Sequence, residues 1–287
     1  MFRAVLLGVF FIGAIGACAA RDAPTGHTEE AQTTTIPLDL SGPRPVVQLT
    51  VNGGPQQRAV FDTGATSTIV NIDSASALGL RNEGPLLAPF DRAHAGSGYQ
   101  STLRGAVLGG RALPPLSVPV MTSPLRDAVA IFSPNTFAGE LVTLDFATAE
   151  LRIAPKSART MPPGESYGYS APPFALPTMP VHIGDQTFAA HLDTGSPVGL
   201  LLPLAYSEQV PLDGPPEQIG VARTHAGEMP IYRARILGQI TVGPLLLDNP
   251  EVRFTDVVSN VNVGMALLRQ LVITLDPAEQ RVWVRAR

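Results

Sequence analysis

The chain has 287 residues, of which 45% are hydrophobic and 15% charged, so it can bury a sizeable core and is globular rather than disordered. The formal net charge is −4 and Lys156 is the single lysine, which leaves no basic stripe for a nucleic-acid backbone and excludes nucleic acid as a partner. Glycine and proline, 27 plus 28 or 55 residues without a period, suit short strands joined by tight turns and exclude a collagen-like repeat.

Residues 1–17 read as an export signal: Arg3, an apolar run from Ala4 to Ile15, then small residues. The run is too short to anchor the chain across a bilayer, and the polar residues that follow carry no stop-transfer pattern. Ile15, Gly16, Ala17 and Cys18 resemble a bacterial lipobox. Cys18, the only cysteine, is therefore expected to carry a lipid after cleavage, with residues 18–35 as a flexible tether to the membrane. Ala19 in the next position resembles lipoproteins sent to the outer membrane, so the expected location is the cell envelope, on the periplasmic side. A single cysteine rules out disulfides and thiolate metal sites in the mature chain.

From residue 36 onward the chain says the same thing twice. Asp62-Thr63-Gly64 recurs as Asp193-Thr194-Gly195, and 193 minus 62 is 131. At the same offset His94-Ala95-Gly96 recurs as His225-Ala226-Gly227, with Arg92 and Arg223 two residues before each histidine, and Thr143-Leu144-Asp145 recurs as Thr274-Leu275-Asp276. Three matched triplets in one register mark an internal duplication. In the first half, VVQLTV, a Gly-Gly turn, RAVFD and STIVN predict strands, followed by a short helix around DSASALGL. The second half repeats the plan with PVHI, a Gly184-Asp185 turn, FAAHLD and VGLLLP. Each half then predicts a hairpin centred on His-Ala-Gly and closes on paired strands, VTLDF with ELRIA and VITLD with RVWVR. The expected fold class is all-β: two duplicated β-barrel lobes, 36–155 and 175–287, with a Pro/Gly/Ser-rich linker at 156–174 and a cleft between them.

One Asp-x-Gly between β-branched runs is ordinary turn material. Two copies on equivalent loops are different, because packing related lobes about an approximate twofold would bring Asp62 and Asp193 face to face. Carboxylates a few ångströms apart share one proton, leaving one acid neutral and one charged, and such a pair can activate a water for attack on a carbonyl. Gly64 and Gly195 would let the loop backbones approach, and the hydroxyls of Thr63 and Thr194 can tie each loop to its opposite number.

With FDTGATSTIV at 61–70, HLDTGSP at 191–197, Val261-Asn262-Val263-Gly264 before Leu267 and Leu268, and the closing Leu-Asp strands, both halves resemble the aspartic protease superfamily in its retropepsin-like and pepsin-like branches. The resemblance implies retropepsin-sized lobes fused as in the pepsins, Asp62 and Asp193 as a catalytic pair within one chain, a monomer, no cofactor, and a peptide or protein substrate. It also implies a substrate-covering flap around His94, Ala95 and Gly96 and around His225, Ala226 and Gly227. The first half departs from the pattern at Phe132-Ser133, where the offset of 131 calls for the counterpart of Val263-Gly264. Pro197 has no first-half counterpart, and Tyr99 is the one candidate for a flap tyrosine. A rival reading is a noncatalytic envelope protein that keeps the fold as a peptide-binding or scaffolding surface. A metal site on His94, His191 and His225 lacks ligand spacing, and no G-x-S-x-G elbow supports a serine hydrolase.

Overall fold

A computed structural model describes residues 32–87, 98–123, 125, 127–172, 174–224 and 227–287, and Gln32–Arg287 form one compact unit. Cys18, the segment carrying Arg92, His94, Ala95 and Gly96, and the pair His225 and Ala226 lie outside the described residues.

The protein is half strand, 50%, with 7% helix, arranged as two curled half-barrel sheets. The first half contributes β1 (Thr34–Pro37), β2 (Val46–Val51), β3 (Gln57–Phe61), β4 (Ile69–Asn71), β5 (Gly98–Leu103) and β6 (Ala106–Leu108). It continues with β7 (Arg111–Ala112), β8 (Leu116–Met121), β9 (Ala130–Phe132), β10 (Glu140–Asp145) and β11 (Glu150–Pro155). The second half runs through β12 (Thr178–Ile183), β13 (Gln186–Asp193), β14 (Leu200–Pro203), β15 (Glu217–Thr224), β16 (Gly227–Arg235) and β17 (Gln239–Val242). It ends with β18 (Leu245–Asp248), β19 (Glu251–Thr255), β20 (Val261–Gly264), β21 (Leu271–Asp276) and β22 (Arg281–Ala286).

One curled sheet has the order β5-β8-β4-β9-β3-β2-β6-β7, and the other β15-β16-β19-β14-β20-β13-β12-β17-β18. At the heart of each, β9 and β20 are flanked by the two strands that lead into and out of an Asp-Thr-Gly loop: β3 and β4 in the first half, β13 and β14 in the second. That loop has to arch over the end of the middle strand, which fixes the acid at the rim of the sheet.

The third sheet, β1-β11-β10-β21-β22, joins the halves. Its central pair, β10 with β21, is antiparallel and sets Thr143 opposite Thr274, two residues that are 131 apart. A residue opposite its own repeat counterpart lies on the twofold that relates the halves, and the Oγ1 atoms of the two threonines meet at 2.9 Å there. The same symmetry reaches the segment between the halves: Ile36 on β1 pairs with Leu151, and Tyr167 bridges Val282, each member again displaced by 131.

Packing follows the alternation of apolar and polar side chains. On β13, Phe188, Ala190 and Leu192 are buried while Ala189, His191 and Asp193 face away from the core. Phe61, Phe132 and Phe254 are among the largest side chains with no meaningful exposure, and a continuous apolar cluster runs through both halves and the joining sheet. The expected helix after Asn71 is shorter than its apolar pattern suggests. It spans Ile72–Ala75, with Asn71 accepting from the Asp73 amide at its start, and the turn that follows reaches Gly79 at φ +72°, a conformation that ends a helix and favours glycine.

Candidate active site

The two Asp-Thr-Gly loops meet at the twofold. The Thr63 amide donates to Thr194 Oγ1 at 3.0 Å and the Thr194 amide to Thr63 Oγ1 at 3.1 Å. Each hydroxyl then donates onward across the divide, Thr63 to the Leu192 carbonyl at 2.6 Å and Thr194 to the Phe61 carbonyl at 2.7 Å. Leu192 and Phe61 are themselves repeat counterparts, so the four bonds form one reciprocal clasp. Thr63 and Thr194 are 1% and 0% exposed, so no water competes for these groups, and each bond satisfies a donor that would otherwise be costly to bury.

The clasp sets Asp62 beside Asp193, close enough for the charge of Asp193 to act on the Asp62 carboxyl. Gly64 and Gly195 are needed there for space, and neither has a positive φ. A Cβ on Gly64 would stand 2.7 Å from Asp193 Cγ, and one on Gly195 would stand 2.5 Å from Asp62 Cγ, closer than any side chain tolerates.

The symmetry stops at the carboxyl groups. Asp62 Oδ1 accepts from the Gly64 amide at 2.8 Å and from the Gly195 amide at 3.1 Å. Asp193 Oδ1 accepts from the Ser196 amide at 3.0 Å, and its Oδ2 accepts from Asn262 Nδ2 at 2.6 Å. The repeat counterpart of Asn262 is Ile131, so among the described residues only Asp193 has a side-chain donor. Burial and the nearby charge of Asp193 push the Asp62 carboxyl up to about 8, against the opposing pull of its two backbone amides. Asp62 is therefore the member of the pair held toward its protonated form, and the Asp193 oxygen beneath Asn262 serves as acceptor. The orientation of the amide agrees: Asn262 Oδ1 is buried with no partner, and turning the amide round would set that oxygen against the Asp193 oxygen.

Departures noted in the sequence now have physical reasons. Under the arch of the second loop, Gly264 allows backbone packing: a Cβ there would collide with the Val198 carbonyl and stand 2.7 Å from the Ser196 carbonyl oxygen. The Met265 amide donates to that Ser196 carbonyl at 2.8 Å. In the first half Ser133, fully buried, occupies the same place, and its hydroxyl donates to the Ala65 carbonyl at 2.7 Å while its amide donates to Thr68 Oγ1 at 3.1 Å. Asn135 Nδ2 adds a bond to the Thr66 carbonyl at 2.8 Å. One loop is thus held by backbone and the other by side chains.

Above the pair lies a cavity of about 420 Å³. Leu125 and Ile131 line it from the first half, Leu201, Met229 and Ile231 from the second, and Arg44 and Arg253 add two cations. Arg44 Nε donates to the Gly195 carbonyl at 2.5 Å, tying the segment before β2 to the opposite loop. Gly227 opens β16 opposite Thr224 on β15, so the strands of the expected second-half hairpin are present. Tyr99 pairs with Val120 on the edge of the first sheet and does not line the cavity. His191 stands opposite Asn262 in the strand register, where burial holds its imidazole below the usual range although the charge of Asp193 pulls it upward. Asn262, Arg44 and Arg253 escaped sequence reasoning. For Asn262 a signal existed, since it is the polar residue in an otherwise apolar Val-x-Val-Gly strand.

Neither the protein-family models nor the curated proteins compared with the sequence give a match.

Proposed function

We propose that the protein is an aspartic-type endopeptidase of the retropepsin-like and pepsin-like superfamily, with Asp62 and Asp193 as its catalytic pair. The observation that carries this reading is the meeting of the two repeated acids at the twofold, held by the reciprocal threonine clasp, at the floor of a cavity. A pair with one proton suits a single chemistry well. A water lying between the acids attacks the peptide carbonyl carbon, gives a proton to Asp193, and the Asp62 proton moves to the carbonyl oxygen as its π bond opens. The gem-diol then collapses: one hydroxyl returns a proton to Asp62, the C–N bond breaks, and Asp193 hands its proton to the departing nitrogen. Both acids end as they began, and no adduct with the enzyme forms.

Asn262 fits this division of roles, because a donor fixed on Asp193 Oδ2 orients that oxygen as an acceptor. On the sequence features around Cys18, we also read the enzyme as a lipid-anchored envelope protein; Cys18→Ser should abolish lipid labelling and membrane fractionation.

Peptide-library cleavage by the purified mature chain tests the activity. It should follow a bell-shaped pH profile, survive EDTA and stop with a statine-type inhibitor. Asp62→Asn and Asp193→Asn should each abolish cleavage, and mixing the two variants should restore none, since both acids come from one chain. Recovery on mixing would mean a site shared between chains. Full activity in Asp62→Asn would leave the first half as a scaffold and the mechanism wrong.

A further inference from the structure

The two walls of the cavity are related by the duplication, yet their side chains are not alike. Cross-strand neighbours in a sheet share a face, so the registers define one row on each wall. In the first half the row is Val46, Val60, Ile131 and Ile69, and Val46 and Val60 are buried with Ala128 beneath Leu125 in a separate apolar patch. In the second half the corresponding row is Thr178, His191, Asn262 and Leu201, and it continues through Arg253 to Arg233. Every apolar position but one has become polar, and the row ends in two arginines.

The arginines are not equivalent. Arg233 stands between Glu217 at 3.6 Å and Glu251 at 3.8 Å. Arg253 lines the cavity, is exposed, and has no hydrogen-bond or carboxylate partner among the described residues. Nor is it engaged by the acids of the pair, whose partners are backbone amides and Asn262. An unpaired guanidinium aimed into a cleft offers a planar fork to a carboxylate.

We propose that Arg253 is a specificity determinant that holds a substrate carboxylate against the second-half wall, so that the enzyme prefers an acidic side chain two or three residues from the cleaved bond. This rests on the peptidase reading for the position of the bond, not for the site itself. Arg253 lies two strands from Asn262, about 10 Å at the usual strand spacing, and an extended peptide advances roughly 3.3 Å per residue. The first-half wall, apolar at Ile131 and Leu125, takes an apolar neighbour. A free peptide C-terminus carries the same chemistry and is separated from an internal acid by the experiment.

The test uses the mature chain with fluorescent peptides blocked at both ends, bearing an apolar cleavage pair and Glu, Gln or Lys at each position up to three residues away. A further set carries Gln throughout and a free C-terminus. Cleavage is read as kcat/KM and binding by anisotropy. Glu should be favoured over Gln by about tenfold at one position, the size of a charge-assisted pair at a partly exposed site, and high salt should erase the preference. The preference should vanish in Arg253→Gln and pass to Lys in Arg253→Glu. Both variants should keep the wild-type circular dichroism, because Arg253 is exposed and outside the core. A preference for the free C-terminus alone would overturn the internal-acid assignment, and equal Glu and Gln binding in wild type, or an unchanged ratio in Arg253→Gln, would overturn the site. Arg253-dependent Glu binding without cleavage of any peptide would keep the site and sink the peptidase. Cleavage without a Glu preference would do the reverse.

Discussion

Asp62 offers a prediction that needs no substrate. Its carboxyl is pushed from 3.8 to about 8, first by burial and then by the charge of Asp193. A carboxyl whose pKa is raised on folding binds its proton more tightly in the native state, so its contribution to stability is complete below about pH 4 and is lost as pH climbs to about 8. The shift is about 4 units, and at about 1.4 kcal/mol per unit the ceiling is about 6 kcal/mol. Asp62 is only half-buried, so solvent screening reduces the expected loss to about 2–3 kcal/mol. Asp62→Asn imitates the protonated acid at every pH: its Oδ1 still accepts from Gly64 and Gly195, and its amide replaces the carboxyl hydroxyl. Urea unfolding followed through Trp283, the single tryptophan, should give equal stabilities near pH 4 and a variant more stable by about 2–3 kcal/mol near pH 8.5. Asp193→Asn should retain a smaller pH dependence, because it removes the neighbouring charge and leaves the burial. A difference between wild type and Asp62→Asn that stays flat from pH 4 to 8.5, or runs the other way, would refute the shared-proton argument.

Asn262→Leu, which copies the apolar first half, should lower kcat more than KM, since Asp193 loses the amide that holds its Oδ2 in place. Thr194→Val breaks a buried reciprocal clasp and strands the Thr63 amide, so unfolding should become easier by about 2–4 kcal/mol, read by urea titration. Gly195→Ala sets a methyl against the Asp62 carboxyl and should abolish cleavage while the far-ultraviolet circular dichroism stays native.

The fold was legible because the duplication multiplied every weak signal. A single Asp-Thr-Gly is turn material, but two in fixed register with the closing Leu-Asp strands lead to an all-β chain in two matched halves, and β10 and β21 pair with repeat counterparts opposed. What escaped depended on facing directions that only the sheet register defines. Asn262 reads as one polar residue among valines until β20 is laid beside β13. Arg253 lies 60 residues beyond Asp193 and enters the site through β14 and β19, a proximity no local pattern contains. Ser133 read as a lost glycine because the sequence shows the missing residue and hides the compensating bond to the Ala65 carbonyl.

Where the duplication has been kept and where it has drifted follows from what each position must do. Thr63 and Thr194 bond to each other, so a change in one leaves a buried donor unsatisfied in the other, and both persist. Thr143 and Thr274 are bound by the same reciprocity. Ser133 and Gly264 answer only to the loop above them within their own half, so each half could find its own solution. Ile131 and Asn262 face the cavity, and on the proposed peptidase reading a bound peptide would run in one direction past both walls and present different atoms to each. A homodimer must place the same side chain at both positions. A fused pair need not, and here the freedom has gone to one acid, which gained an amide donor, and to one wall, which gained an arginine with no partner among the described residues. The asymmetry at Asn262 and the asymmetry at Arg253 lie on one strand row, so a peptide oriented by its carboxylate on Arg253 would also be oriented with respect to which acid takes the water's proton and which donates its own.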